Sequence, residues 1–570
     1  MNFKHILFLS GLAFLTSCVD LDYSEVKTDD QEMVYSMATK VKSLVSNVYA
    51  HVDYDLGNLK GAMKASATDE ADYSISLSDI HKFYNGGWSA INPFEETWKN
   101  NYSGIAQANN FLEEIDEIYA SLERYRYNVS VNSYEDLRRQ FDLYEYEVRF
   151  LRAYFYFELV RTYGDVPLVT KVLTNGEANI LSRTPANEVF NFIVDECDAI
   201  ADKLPVTYMD EPNQEINRVN RIIVLALKAR TLLYMASPLF NPDNDSQRWI
   251  EAAKANKAVI DFALISGVQL GKYSDLSGQI TYTNKEIFWI KGTGTPDQWR
   301  YNSVENFNFP IGVENGQGGN CPTQSLVDAY EYKTGADAGR SFGNVWTENT
   351  IDLSSNPYAD LDPRFEMTVV KNGDMWPKYT GKGVETFTGG ANASPIYGAT
   401  QTGYYLRKLC DVDANISTDN PSPKRHNFIL FRLGEFYLNY AEAVYHVTGS
   451  ADNAGEYGLT ANDAINAIRD RSDVQMPHFE GDDVNFLARY RNERMVELAF
   501  EDHRFWDVRR WKLGADYFST IKIVSVDKSG ESITLTRGEK NRGWNDKYNL
   551  FPIPYTEIQK NPKLEQNPGW

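Results

Sequence analysis

The chain has 570 residues and carries 57 basic against 79 acidic side chains, a formal net charge of −22. So acidic a body repels phosphate backbones and anionic head groups, which argues against nucleic acid as a partner and against electrostatic binding to a membrane surface. The aromatic share is 13%, with 36 Tyr and 11 Trp, more flat apolar faces than packing alone requires and suited to holding flat ligands.

At the N-terminus, Lys4 and His5 form a basic region and Ile6 to Leu15 an apolar run too short to span a bilayer. Leu15-Thr16-Ser17-Cys18 then supplies small residues leading into a thiol, the pattern that bacteria use to attach lipid to a cysteine. Residues 1–17 are therefore expected to be a lipoprotein signal peptide, Cys18 the lipid attachment site, and 18–30 an acidic tether. Membrane attachment would come from the acyl chains, each buried methylene contributing about 0.8 kcal/mol. Three cysteines remain after Cys18, an odd number that argues against a disulfide framework. Cys197 falls on the apolar face of a helix; whether Cys321 and Cys410 pair is left open by their spacing.

Helical periodicity dominates from about 31 to 265. Leu137, Phe141, Tyr144, Val148, Leu151, Phe155 and Leu159 form one face of a helix, and Phe150, Tyr154 and Phe157 add a second, so this helix should be buried on two sides. Gly164 and Pro167 stop it. The next helix is expected to open with Thr184 as N-cap and Pro185 at the first position, and to end before Pro205. A third carries Ile222, Ala226, Ala229, Leu233 and Ala236. Small residues recur at Ala252-Ala253, Ala441, Ala443, Ala464 and Ala467, which suggests stacked helical hairpins. A strict 34-residue period is absent, so the array is at most a degenerate tetratricopeptide-like one.

Residues 267–426 hold 19 of the 37 glycines, which predicts loops and short strands there. Candidate strands are Glu286–Ile290, Phe365–Val370 and Tyr404–Leu409, with Ile521–Val526 and Ser532–Thr536 later. Helices should resume from Asn427 to about Lys512, and 513–570 should form strands and a tail. The expected fold class is mainly α: a single domain over 31–570, in which a tetratricopeptide-like helical-hairpin scaffold carries a loop-rich insertion. Binding residues concentrate on such loops.

Several motifs together carry a family resemblance. Residues 493–511, ERMVELAFEDHRFWDVRRW, are similar to the ERxxELAFEGxRFxDLRRW signature of the SusD/RagB family of surface lipoproteins, with Asp502 replacing the usual glycine. Trp98 to Asn109, Arg149 to Tyr154, Tyr163 to Pro167, Asp362-Pro363-Arg364-Phe365, Tyr440 to Ala443, Phe551 to Pro554 and Gln566 to Trp570 follow in that family's order. The resemblance implies tetratricopeptide-like helix pairs bearing loops that bind an oligosaccharide or polysaccharide or, in some members, peptides. It implies a SusC-like TonB-dependent transporter as partner and an outer-membrane location facing the cell exterior; no cofactor is expected, with only a structural calcium left open. Asp20 and Asp22 fit an acidic export tag for the outer leaflet.

An enzyme reading rests on Glu497 and Glu501, which stand at i and i+4 on one helix face and could imitate a carboxylate pair. Arg494, Arg504, Arg509 and Arg510 surround them in sequence, so salt-bridged packing is the better expectation. No Ser-His-Asp order, HExxH, CxxC pair or Walker loop is present. Asp411, Asp413 and Asn415 imitate the start of a calcium loop, but Ile416 occupies its glycine position and Ser422 its glutamate position. Sugar binding asks for flat faces beside hydroxyl-binding groups. The glycan-binding candidates are accordingly loop aromatics: Trp88 with Asn85 and Asp69, Trp299 with Tyr301, and Trp376. Trp98 starts a helical pattern and should pack.

Overall fold

A computed structural model describes residues 38–570, apart from 95, 127–128, 212–213, 278–283, 293–303, 378, 380, 418, 420 and 423. Cys18, the export signal and the tether lie outside the described residues. The first helices are α1 (Ala38–Ala50), α2 (Glu96–Glu113), α3 (Val131–Tyr163), α4 (Ala186–Ile200), α5 (Arg221–Ala236) and α6 (Ser246–Ile265). As the two-faced pattern predicts, every residue of α3 from Phe150 to Tyr163 is buried, with α2 and α4 packed on it. Gly104 sets the approach of α2: a Cβ there would lie 2.5 Å from the Phe155 ring. Gly164, at φ 72°, then turns the chain out of α3. The expected cap of α4 is displaced by one residue. Thr184 pairs its backbone with Val166, Pro185 takes the cap position, and Asp165 accepts the Ala186 N–H at 2.7 Å. Ala226, Ala229, Ala252 and Ala253 are fully buried where α5 meets α4 and α6.

The antiparallel strands are β1 (Ala71–Tyr73), between α1 and α2, then β2 (Ile287–Gly292), β3 (Asn320–Pro322), β4 (Thr350–Asp352), β5 (Val369–Val370), β6 (Tyr405–Leu406) and β7 (Asn427–Arg432), and the longer β8 (Thr520–Ser529) and β9 (Ser532–Asn541). They pair as β1–β3, β2–β7, β5–β6 and β4–β9–β8. Among them lie α7 (Gln324–Ala329), α8 (Pro363–Thr368), α9 (Leu433–Thr448), α10 (Ala461–Arg469), α11 (Phe486–Glu497) and α12 (Arg504–Arg510). The chain is mainly helical with few short strands, the expected class.

Two segments differ from expectation. The strand predicted over Phe365–Val370 is helical to Thr368, because Pro363 sits in the first turn and Asp362 accepts the Arg364 N–H at 2.9 Å. Asn427–Arg432, expected to begin a helix, is a strand buried along its whole length beside β2, and its continuous apolar run suits that position.

Candidate ligand-binding surface

Glu497 and Glu501, the pair that imitates a hydrolase site, are structural. Glu497 is fully buried; its Oε1 accepts from Arg432 and Arg471, both at 2.8 Å, and its Oε2 from Arg364 at 3.0 Å. Burial alone would raise its carboxyl, but the Arg471, Arg432 and Arg364 guanidiniums outweigh that and hold it at about 2. Glu501 is taken by Arg432 at 2.6 Å and Lys408 at 2.7 Å. A carboxylate held so low has no proton to donate near neutral pH, whereas a glycosidase acid needs its pKa raised. The same segment continues into a second lattice, where Glu442 binds Arg510 at 2.6 Å and the Trp511 indole at 2.6 Å, and Asp507 binds Arg494 and Arg510. The glycine position of the signature is also explained: Asp502 has φ 61°, and its carboxylate binds Lys64 and the Trp506 indole.

The aromatic candidates divide. Trp88 is 2% exposed, its ring edge-on to Phe83, Phe551 and Trp570 and stacked on Tyr548, so it closes the core instead of facing solvent. Asp69, expected beside it as a hydroxyl partner, is 5% exposed and held bidentately by Arg504 at 2.9 and 2.7 Å. Asn85 is exposed, but its Oδ1 accepts the Gly87 N–H at 2.8 Å and shapes the turn. Trp376 is 1% exposed, packed edge-on against Phe309 with the Arg407 guanidinium 5.6 Å from its ring centre, while its neighbour Met375 is exposed. In each tryptophan case burial of the large apolar ring prevails over display. Trp299 and Tyr301 lie outside the described residues. Trp98 packs on Tyr102 and Tyr163, as expected.

The loop-rich face nevertheless displays an aromatic ring that sequence reasoning missed. Tyr397 is 67% exposed, next to exposed Ile396. The backbone carrying it is tightly supported. Gly398 has φ 83°, and a Cβ there would come within 3.0 Å of the Gln317 carbonyl, 3.3 Å of Ile75 and 3.8 Å of Ile311. The loops after β1, before β3 and before β6 thus converge under Tyr397. His81 braces the first, its ring nitrogens 3.1 and 3.3 Å from the carbonyl oxygens of Ser76 and Tyr73. Burial, with Cys321 and Tyr397 nearby, pushes the Tyr73 phenol up, and that phenol donates to the Lys60 carbonyl at 3.0 Å. Asp79, on the loop after β1, is paired with Lys82 at 3.0 Å and with the exposed Lys60, from the segment before β1, at 3.6 Å. An exposed ring on closely packed backbone, with aliphatic Ile396 beside it, is fitted to receive the C–H face of a sugar. Pro395 and Gly398, flanking Ile396-Tyr397, were the available signal.

The remaining polar candidates have local roles. In the Asp411–Ser422 loop, Asn415 pairs with Ser422 and Asp411 accepts the Asp413 N–H, so this is a self-bonded turn. Cys197, Cys321 and Cys410 are buried free thiols, which answers the pairing left open for the last two.

Residues 285–570 match the model of the SusD family, and residues 21–233 match a model described as starch-binding associating with outer membrane. Among curated proteins, SusD-like protein P25 of Formosa agariphila is 24% identical over 82% of this chain and 77% of its own length. SusD-like protein P2 of the same organism is 22% identical over 99% of both. A SusD-like protein of Bacteroides fragilis has a similar solved structure, at 26% identity and TM-score 0.76 over 96% of this chain and 99% of that one. A laminarin binding SusD-like protein shares the fold at 20% identity and TM-score 0.62, covering 94% and 99%. With family models matched on both sides of residue 250 and the fold shared over nearly the whole length, the chain belongs to the SusD family.

Proposed function

We propose that this protein is a non-catalytic cell-surface binding protein that captures an oligosaccharide or polysaccharide and delivers it to a SusC-like TonB-dependent transporter. Acylated Cys18 would hold it on the outer leaflet, with residues 31–570 as one ligand-binding domain behind the tether. The observation that carries the binding reading is Tyr397, an exposed ring on a loop whose backbone packs against two others. The laminarin binding and carbohydrate binding proteins that share the fold support the ligand class. The arginine-saturated state of Glu497 supports binding without turnover.

A glycan panel run beside a peptide pool tests the ligand class, with reducing-end release measured on every glycan bound. Glycans retained without release are expected. Retention of peptides alone would move the protein to the peptide-capturing class, and release of reducing ends would make it a hydrolase.

A further inference from the structure

A cleft of about 430 Å³ opens where the β8–β9 hairpin meets α7 and the segment leading into β4. It shares no residue with the Tyr397 surface. One wall is Trp346, whose indole N–H donates to the Tyr332 hydroxyl at 2.6 Å, so the ring is fixed while its side chain stays part-exposed. The floor is Asp328, whose carboxylate is fully engaged: Arg537 binds both oxygens at 3.0 Å, Gln324 donates at 2.7 Å and Lys522 at 3.0 Å. Asp328 therefore positions cations and has little left for a ligand.

The β8–β9 ladder supplies an unmatched pair to the lining. Lys522 and Glu539 face each other across the β8–β9 ladder, where opposite charges ordinarily pair. Lys522 instead binds Asp328, and Glu539 forms no ion pair among the described residues. The cleft thus presents an ammonium with protons to spare, a carboxylate with open lone pairs and an indole, with the exposed Asn349 at its rim. An adjacent donor and acceptor suit neighbouring hydroxyls, and the indole suits the apolar face of the same ring. Lys522, Arg537, Asp328 and Glu539 sum to zero charge, so nothing here selects an acidic sugar.

We propose that this cleft is a carbohydrate subsite that takes one neutral pyranose unit, stacked on Trp346 with its hydroxyls bridging Lys522 and Glu539. The inference rests on the carbohydrate reading of the protein. It is tested by native affinity gels of the mature chain containing laminarin, amylopectin, yeast mannan or alginate. Glu539→Ala removes an exposed, unpaired side chain and should leave the thermal melt unchanged; Trp346→Ala is the companion variant. For a neutral polymer that retards the wild type, both variants should lose at least threefold in affinity. Retardation by that polymer with Glu539→Ala and Trp346→Ala both at wild-type affinity would overturn the subsite while leaving the binding function intact. Stronger retention by alginate, lost in Lys522→Ala but not in Glu539→Ala, would also overturn it, in favour of an anion site. A wild type retarded by none of the four overturns the carbohydrate reading for these polymers and the subsite with it.

Discussion

Glu497→Gln keeps the shape of the side chain and removes its charge from the centre of the ion lattice. In the wild type its two oxygens receive three guanidinium donors. Glutamine has a single acceptor oxygen, so at least one arginine would meet an N–H₂ group, and three guanidiniums would share one carboxylate fewer in a site without water access. Removing one partner of a buried pair costs about 3–5 kcal/mol. The fall of the Glu497 carboxyl from 4.5 to about 2 gives an independent figure of about 3 kcal/mol. Because the folded-state value is depressed, this stabilisation is present above pH 4.5 and is lost as the pH falls towards 2. Urea unfolding followed by tryptophan fluorescence should therefore show Glu497→Gln less stable by about 3–5 kcal/mol at pH 7. The gap should narrow progressively below pH 4. Equal stability at pH 7, or a gap that does not change with pH, would refute the role assigned to this carboxylate.

Other expectations are independent of that lattice. Trp88→Ala should cost about 3–5 kcal/mol by opening a cavity among Phe83, Phe551 and Trp570, whereas Trp88→Phe should cost less than about 1.5 kcal/mol, because the indole N–H has no partner to lose; thermal melts separate the two. Gly104→Ala should destabilise by about 1–3 kcal/mol, since the added methyl meets Phe155 at 2.5 Å, and would be neutral if α2 could move away. Ellman's reagent should find Cys197, Cys321 and Cys410 unreactive in the native protein and release three thiols on unfolding in denaturant. Burial pushes the Cys321 thiol up to about 12, and a count below three would reveal a disulfide.

The helical part of the fold was legible because its signals are local. The two apolar faces of α3, the glycine and proline at its end and the small residues of α5 and α6 all carry a period that survives without knowledge of the partner. The strands of the insertion were harder, since β5 and β6 are two residues long and owe their conformation to each other. Asn427–Arg432 shows the same limit: a short apolar run does not distinguish a buried strand from a buried helix. At the ligand face, the rule that loop tryptophans display flat surfaces failed for Trp88 and Trp376. Both rings fill the core beneath their loops, whereas the less apolar Tyr397, among the described residues, is exposed. Burial of Asp69 was equally invisible, because its partner Arg504 is 435 residues away.

Binding through the Tyr397 surface is tested most directly by calorimetric titration of wild type and Tyr397→Ala with a glycan retained in the panel. Loss of the ring should weaken binding by about 1.5 kcal/mol, roughly tenfold in Kd, with the thermal melt unchanged. Equal affinity in the two proteins would contradict the placement of the ligand on this surface.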